Sequence, residues 1–157
     1  MNSKNKISLQ PLELILCSLL VSIVIITFVQ VLFRYVFQFS LAWTEELARY
    51  IFLWLAALSI AYAFKTKSHF ALTFLVDRVQ KRYRNVIYKT VNVLMLLFLS
   101  IFVWKSFEYT LSVIDQFGPG TGLSMSVPYS SSIFGGILMI YYIVQDFIKM
   151  TTRNSKS

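Results

Sequence analysis

The sequence predicts an all-α integral membrane bundle of four transmembrane helices, with a short amphipathic helix on the cytoplasmic interface. Three observations carry that prediction. Of the 157 residues, 57% are hydrophobic and only 14% are charged, against about 25% charged in an ordinary soluble domain. Four apolar stretches are each long enough to cross a hydrocarbon core of about 30 Å, which takes about 20 helical residues. The cations cluster at the two ends of the chain and in the connection between the second and third stretches, which places them on one side of the membrane. Helices are required because lone apolar strands would leave backbone N–H and C=O groups unpaired in lipid. Residues 1–157 are expected to form a single membrane domain.

The first span is expected over about 12–37. Its basic start and apolar continuation, MNSKNKISLQPLELILCSLLVSIVIITFVQVLF, have the outline of a signal peptide. The apolar part, however, exceeds the roughly 7 to 15 residues of a cleavable core, and no small-residue cleavage site follows. An uncleaved span is the expectation. Cys17, the single cysteine, lies within it, so no internal disulfide and no cysteine cluster for a metal can form. Thr27, Gln30 and Arg34 fall at i, i+3 and i+7, a polar stripe near the outer end.

The second span, about 43–64, opens on WTEELARY. The charge-free run from Tyr50 to Phe64 is about 15 residues, roughly 22 Å of helix, and falls short of the bilayer. The crossing must therefore draw on the preceding residues, which puts Glu46 and Arg49 at the outer edge of the hydrocarbon and Glu45 and Trp43 near the headgroups. Either carboxylate can pair with Arg49, at i+4 from Glu45 or i+3 from Glu46, and both acids sit in first turns that the helix dipole favours. Arg34, brought back by the short QFSLA connection, can serve the other acid. Alternatively a carboxylate stays available for a partner protein. Trp43, Leu47, Tyr50 and Trp54 form a stripe suited to the interface or to a neighbouring helix.

Between Phe70 and Arg84 the polar residues Thr73, Asp77, Gln80, Lys81 and Arg84 recur on one helical face, while Phe70, Phe74, Leu75, Val76 and Val79 occupy the rest. That pattern predicts an interfacial helix over about 70–82. The third span, about 83–113, is longer than the bilayer requires and must tilt or project. It carries Asn92, able to hydrogen bond another helix, and Lys105 with Glu108 at pairing distance. The fourth span, about 127–147, holds Gly135 and Gly136, whose small size permits close helix approach.

Orientation follows from the cations. Lys4 and Lys6 precede the first span; Lys65, Lys67, Arg78, Lys81, Arg82 and Arg84 fill the second connection; Lys149, Arg153 and Lys156 follow the fourth. Both termini and the middle connection are expected in the cytoplasm, and the DQFGPGTGLSMS connection on the opposite side. These flanks account for the net charge of +8 without any nucleic-acid partner.

Catalytic chemistry finds no residues to carry it. His69, the single histidine, stands near Lys67 with no second ligand or nucleophile. Phosphate-binding glycine loops, nucleophile elbows and zinc motifs are all missing. The expectation is a chain that is no enzyme and takes no cofactor or metal. Two transport readings remain. The paired acids lie at the outer edge and not at mid-depth, where a self-contained transporter places its site, and no internal repeat is present. A bracing subunit is therefore preferred over the alternative, a self-sufficient ion-coupled transporter or channel using Glu45 or Glu46.

The stretch VLFRYVFQFSLAWTEELARYIFLWLAALSIAYAFKTKSHF, from Val31 to Phe70, resembles the small membrane subunit, or Q-type small permease, of tripartite ATP-independent periplasmic (TRAP) transporters. An Arg-Tyr-Val-Phe turn, a Trp-Thr-Glu-Glu-Leu-Ala-Arg-Tyr helix start and a basic segment ending in His follow in the family's order. LSMSVPYSSSIFGGILM is a second, weaker match. Thr73 stands where family members often carry an acid, which Asp77 can supply, and Tyr129–Ser130 where an aromatic pair often follows the Pro.

The resemblance implies a multi-pass subunit of the bacterial inner membrane with no substrate site of its own. Its expected partners are a large TRAP membrane subunit that uses a sodium gradient, a periplasmic protein that captures an organic acid of the sialic acid or C4-dicarboxylate class, and membrane lipids. Arg34, Trp43, Glu45, Glu46, Arg49, Tyr50 and Trp54 would form the subunit interface. Asp115, Gln116, Thr121 and Ser124 would help dock the binding protein.

Overall fold

Helices α1 (Pro11–Tyr35), α2 (Ala42–Val76), α3 (Lys81–Ser112) and α4 (Ser126–Asn154) follow one another in a computed structural model that describes residues 11–39, 41–76 and 81–154. Each contains a segment long and apolar enough to cross a membrane: Pro11–Tyr35, Ala42–Thr66, Lys89–Ser112 and Ser126–Gln145. The shortest of these, 20 residues, still reaches about 30 Å at 1.5 Å per residue.

Local chemistry explains the helix ends. Pro11 opens α1, where its missing N–H would have had no intrahelical partner. After α1 the Val36 N–H bonds the Leu32 carbonyl at 2.8 Å. The Gln38 backbone then enters the left-handed region (φ 52°), letting the Phe39 N–H reach the Phe33 carbonyl at 3.1 Å. At the start of α2 the Thr44 hydroxyl donates to the Leu41 carbonyl at 2.6 Å, and Thr44 is 1% exposed. Pro128 sits in the first turn of α4, a position that tolerates the loss of an N–H, and is fully buried.

The helices pack in the spatial series α1–α2–α4–α3: α4 lies against both α2 and α3, which touch each other little, and among the described residues α1 meets α2 alone. On α1 the half-buried residues Leu12, Leu16, Leu19, Ile23, Ile26 and Gln30 alternate four and three apart, the spacing of a straight seam along one neighbour. Val24, Ile25 and Phe28 on the other side are exposed, as lipid-facing residues should be. Close approach at the centre depends on small residues. A Cβ on Gly135 would stand 3.0 Å from both the Cβ and the carbonyl oxygen of Ala57 on α2, and one on Gly136 would stand 2.5 Å from Val103 Cγ2 on α3. Because α2 and α3 are held apart, a groove of about 290 Å³ opens between them, floored by Ser131, Ser132, Gly135 and Gly136.

One expected element differs. The interfacial helix over 70–82 is not a separate element among the described residues: 70–76 continue α2 without a break, and 77–80 lie outside the described residues. Nothing between Phe64 and Val76 stops a helix, since the segment contains neither Gly nor Pro. The same absence of a stop carries α2 well past Phe64, its expected end, and α4 past Phe147.

Asn92 on α3 is 2% exposed, and its amide nitrogen has no partner among the described residues. Lys105 and Glu108 pair at 2.7 Å, as their spacing predicts, with both side chains well exposed.

Candidate functional site

Polar groups gather at the end of the bundle where α2 begins and the connection between α3 and α4 crosses over it. That connection, residues 113–125, is a narrow turn built from its own backbone. Phe117 and Ser124 form an antiparallel bridge. The Gly118 N–H donates to the Leu123 carbonyl at 2.9 Å, the Met125 N–H to the Gln116 carbonyl at 2.8 Å, and the Gly122 N–H to the Gly118 carbonyl at 2.9 Å. Gly122 has φ 67°, a conformation that costs a residue with a Cβ about 1–2 kcal/mol and costs glycine nothing comparable.

Glu46 fastens this turn to α2. Its Oε2 accepts the backbone N–H groups of Gly120 at 2.8 Å and Thr121 at 2.9 Å, and its Oε1 accepts the Tyr50 hydroxyl one helical turn further on. Tyr50 is 6% exposed. Such bonds to an ionised acceptor are roughly twice as strong as neutral ones. The turn can come this close because of its glycines. A Cβ on Gly118 would overlap Glu46 Oε1 and stand 2.6 Å from the Tyr50 hydroxyl oxygen, and one on Gly120 would lie 2.9 Å from Glu46 Oε2 and 3.0 Å from the Ala42 carbonyl oxygen.

Glu45 has a different fate. It pairs with Arg49 at 3.2 Å, and both side chains are 67% exposed. Trp43 is also exposed. Farther along α2 the Trp54 indole N–H donates to the Val127 carbonyl of α4 at 3.2 Å, and its ring tilts against Phe134 with centroids 5.5 Å apart. A cleft of about 380 Å³ opens here, with Ala42, Glu45, Arg49, Pro119, Met125 and Tyr129 among its walls.

Residues 23–153 match the family described as tripartite ATP-independent periplasmic transporters, DctQ component. The chain belongs to the DctQ family. A DctQ component is the small permease of a TRAP transporter, a non-enzymatic transport subunit. Over 142 residues this DctQ chain is 29% identical to a TRAP transporter small permease protein of Haemophilus influenzae, covering 88% of the chain and 86% of that relative. It is 29% identical over 140 residues to the isethionate TRAP transporter permease protein DctMQ of Oleidesulfovibrio alaskensis, covering 84% of the chain but 22% of that longer protein. The sialic acid TRAP transporter permease protein SiaT of Haemophilus influenzae is 28% identical over 133 residues, covering 82% of the chain and 21% of its own length.

Within this DctQ chain the residues expected at a subunit interface separate into two sets. Arg34, Trp43, Glu45 and Arg49 are exposed, whereas Tyr50 is buried and Glu46 and Trp54 are half-buried and bonded within the chain. The Trp43, Leu47, Tyr50, Trp54 stripe is divided accordingly. Arg34 forms no ion pair among the described residues; Glu45 pairs with Arg49, and Glu46 accepts from three donors on α2 and the connection.

On the connection, Asp115 and Gln116 are exposed. The Ser124 hydroxyl donates to the Ile114 carbonyl at 2.7 Å, and the Thr121 side-chain oxygen accepts the Leu123 N–H at 3.3 Å. Sequence reasoning missed Gly118 and Gly120 as the receiving surface for Glu46. The GPGTG run at 118–122 marked a tight turn but named no partner.

Proposed function

We propose that this subunit braces the large permease of a sodium-coupled TRAP transporter for an organic acid, of the sialic acid or C4-dicarboxylate class, and helps dock the periplasmic substrate-binding protein. It lies in a bacterial inner membrane as one domain with both termini in the cytoplasm. The basic stretch that follows Phe64 in sequence belongs to the cytoplasmic side, and the 113–125 connection faces the periplasm. The cation distribution supports that orientation.

The observation that carries the bracing role is the placement of ionisable groups. Between Glu13 and Arg34, Arg49 and Lys65, Lys89 and Lys105, and from Ser126 to Gln145, no helix carries an Asp, Glu, Lys, Arg or His. A bundle without charged side chains at mid-depth supports a role beside the transport path and not within it. The fused relatives agree in kind, since the chain corresponds to about a fifth of each of those permeases. On this reading the exposed residues Arg34, Trp43, Glu45 and Arg49 contact the large subunit. Asp115 and Gln116 meet the binding protein, on a turn shaped by Thr121 and Ser124.

The alternative, an autonomous transporter using Glu45 or Glu46, is opposed by the bonds that occupy both carboxylates. Reconstitution into vesicles decides between them. The chain alone should show no sodium-driven uptake of candidate acids, and uptake should require the large subunit and the binding protein. Uptake by the chain alone would sink the bracing role.

A further inference from the structure

We propose that Glu46 and Tyr50 are positioning residues, which hold the α3–α4 connection in the shape the substrate-binding protein reads and take no part in the contact with the large permease. This rests on the docking role proposed above for the connection. Four observations support it. Both oxygens of Glu46 are occupied inside the chain, by the Tyr50 hydroxyl and by the Gly120 and Thr121 N–H groups. Glu46 accepts two successive backbone N–H groups of the connection, which ties α2 directly to its tip. Glycine stands at both positions where a Cβ would displace the carboxylate or crowd it. Finally, the tip that Glu46 holds is bonded onward through Gly118 to Leu123 and through Gln116 to Met125. Moving the tip therefore moves the backbone that carries Asp115 and Gln116.

The chemistry favours glutamate at this position. Two neighbouring backbone N–H groups converge on one oxygen while a hydroxyl donates to the other, an arrangement that only a group with acceptor capacity on both oxygens satisfies in full. Glutamine keeps the oxygen for the two N–H groups and weakens the Tyr50 bond, while alanine removes both links. Aspartate is one methylene too short to span the gap.

The test uses the complete tripartite system in vesicles, with Glu46→Gln, Glu46→Ala and Tyr50→Phe compared with the unaltered chain. Hydrogen exchange over residues 117–124 reads the latch directly, and sodium-driven uptake against the concentration of acid-loaded binding protein reads docking. Glu46→Ala is expected to accelerate exchange about tenfold or more, equivalent to about 1.4 kcal/mol. The half-saturating concentration of binding protein should rise severalfold, with maximal uptake and co-purification with the large permease retained. Glu46→Gln and Tyr50→Phe should give smaller changes of the same kind.

Gly118→Ala, which evicts the carboxylate without altering it, should reproduce Glu46→Ala, and the double variant should be no worse than either alone. Unchanged exchange in Glu46→Ala would overturn the latch. Faster exchange with unaltered half-saturation would overturn the docking role of the connection and the positioning role with it. Loss of the large permease from the complex, or additive effects in the double variant, would also overturn the proposal.

Discussion

The hydroxyl of Tyr62 on α2 donates a hydrogen bond to the carboxylate of Glu13 on α1, across the one helix pair that α1 makes among the described residues. No residue of α1 is buried, so this bond and the leucine–isoleucine seam both help to hold the helix in place. Tyr62→Phe should therefore weaken the α1–α2 pair by about 1 kcal/mol, the scale of hydrogen bonds between membrane helices. Reversible unfolding in mixed micelles measures it, and an unaltered curve would show that the Tyr62 hydroxyl adds nothing to the hold on α1.

Gly135 is expected to be the least replaceable residue of α4. Its place against Ala57 leaves no space for a methyl group without displacing backbone. Gly135→Ala should cost about 1–3 kcal/mol, as overpacking does in closed cores. Ala57→Gly in the same chain should recover part of that loss, because it removes one of the two atoms at 3.0 Å. A double variant as unstable as the single would show that backbone contact dominates.

The Glu45–Arg49 pair is exposed, so it adds little to the stability of the isolated chain. Glu45→Gln and Arg49→Ala should change unfolding free energy by less than about 1 kcal/mol. If these side chains meet the large permease, each should still reduce co-purification with it. Full recovery of the complex with both variants would remove the pair from that interface.

Gly122 tests backbone conformation separately from space. A Cβ there meets nothing within 4 Å, but φ is +67°. Gly122→Ala should cost about 1 kcal/mol, and Gly122→Asn less, since asparagine visits this region more readily. Equal losses for both would point to something other than φ. The converse holds at Gln38, where φ is 52° and Gly should be tolerated without loss.

Much of this architecture was legible because membrane spans are written in run length. The four helices follow from apolar stretches that nothing interrupts, and the Glu45–Arg49 and Lys105–Glu108 pairs follow from helical spacing. The partners of Glu46 were not legible. Two are backbone amides 74 and 75 residues away, and backbone groups leave no mark on a sequence. Arg34 looked like a natural partner for an acid because charge is visible in a sequence and N–H groups are not. The three-and-four spacing over 70–82 suggests a separate helix, but periodicity alone cannot tell a new helix from the continuation of an old one. Only a stop signal could, and the segment leading into it has none.

The place of α4 between α2 and α3 sets an order on biosynthesis. As the chain leaves the ribosome, α1 and α2 can pair as a hairpin, but α3 arrives with almost nothing of α2 to hold. On that contact pattern the two would find their places only once the fourth helix inserts and packs against both. Closure of the connection over Glu46 is then a late event, since it needs both α3 and α4 in position. A nascent chain halted before Ser126 should thus expose the whole α4-facing side of α2 to the quality-control proteases of the membrane, while the α1–α2 hairpin is already protected.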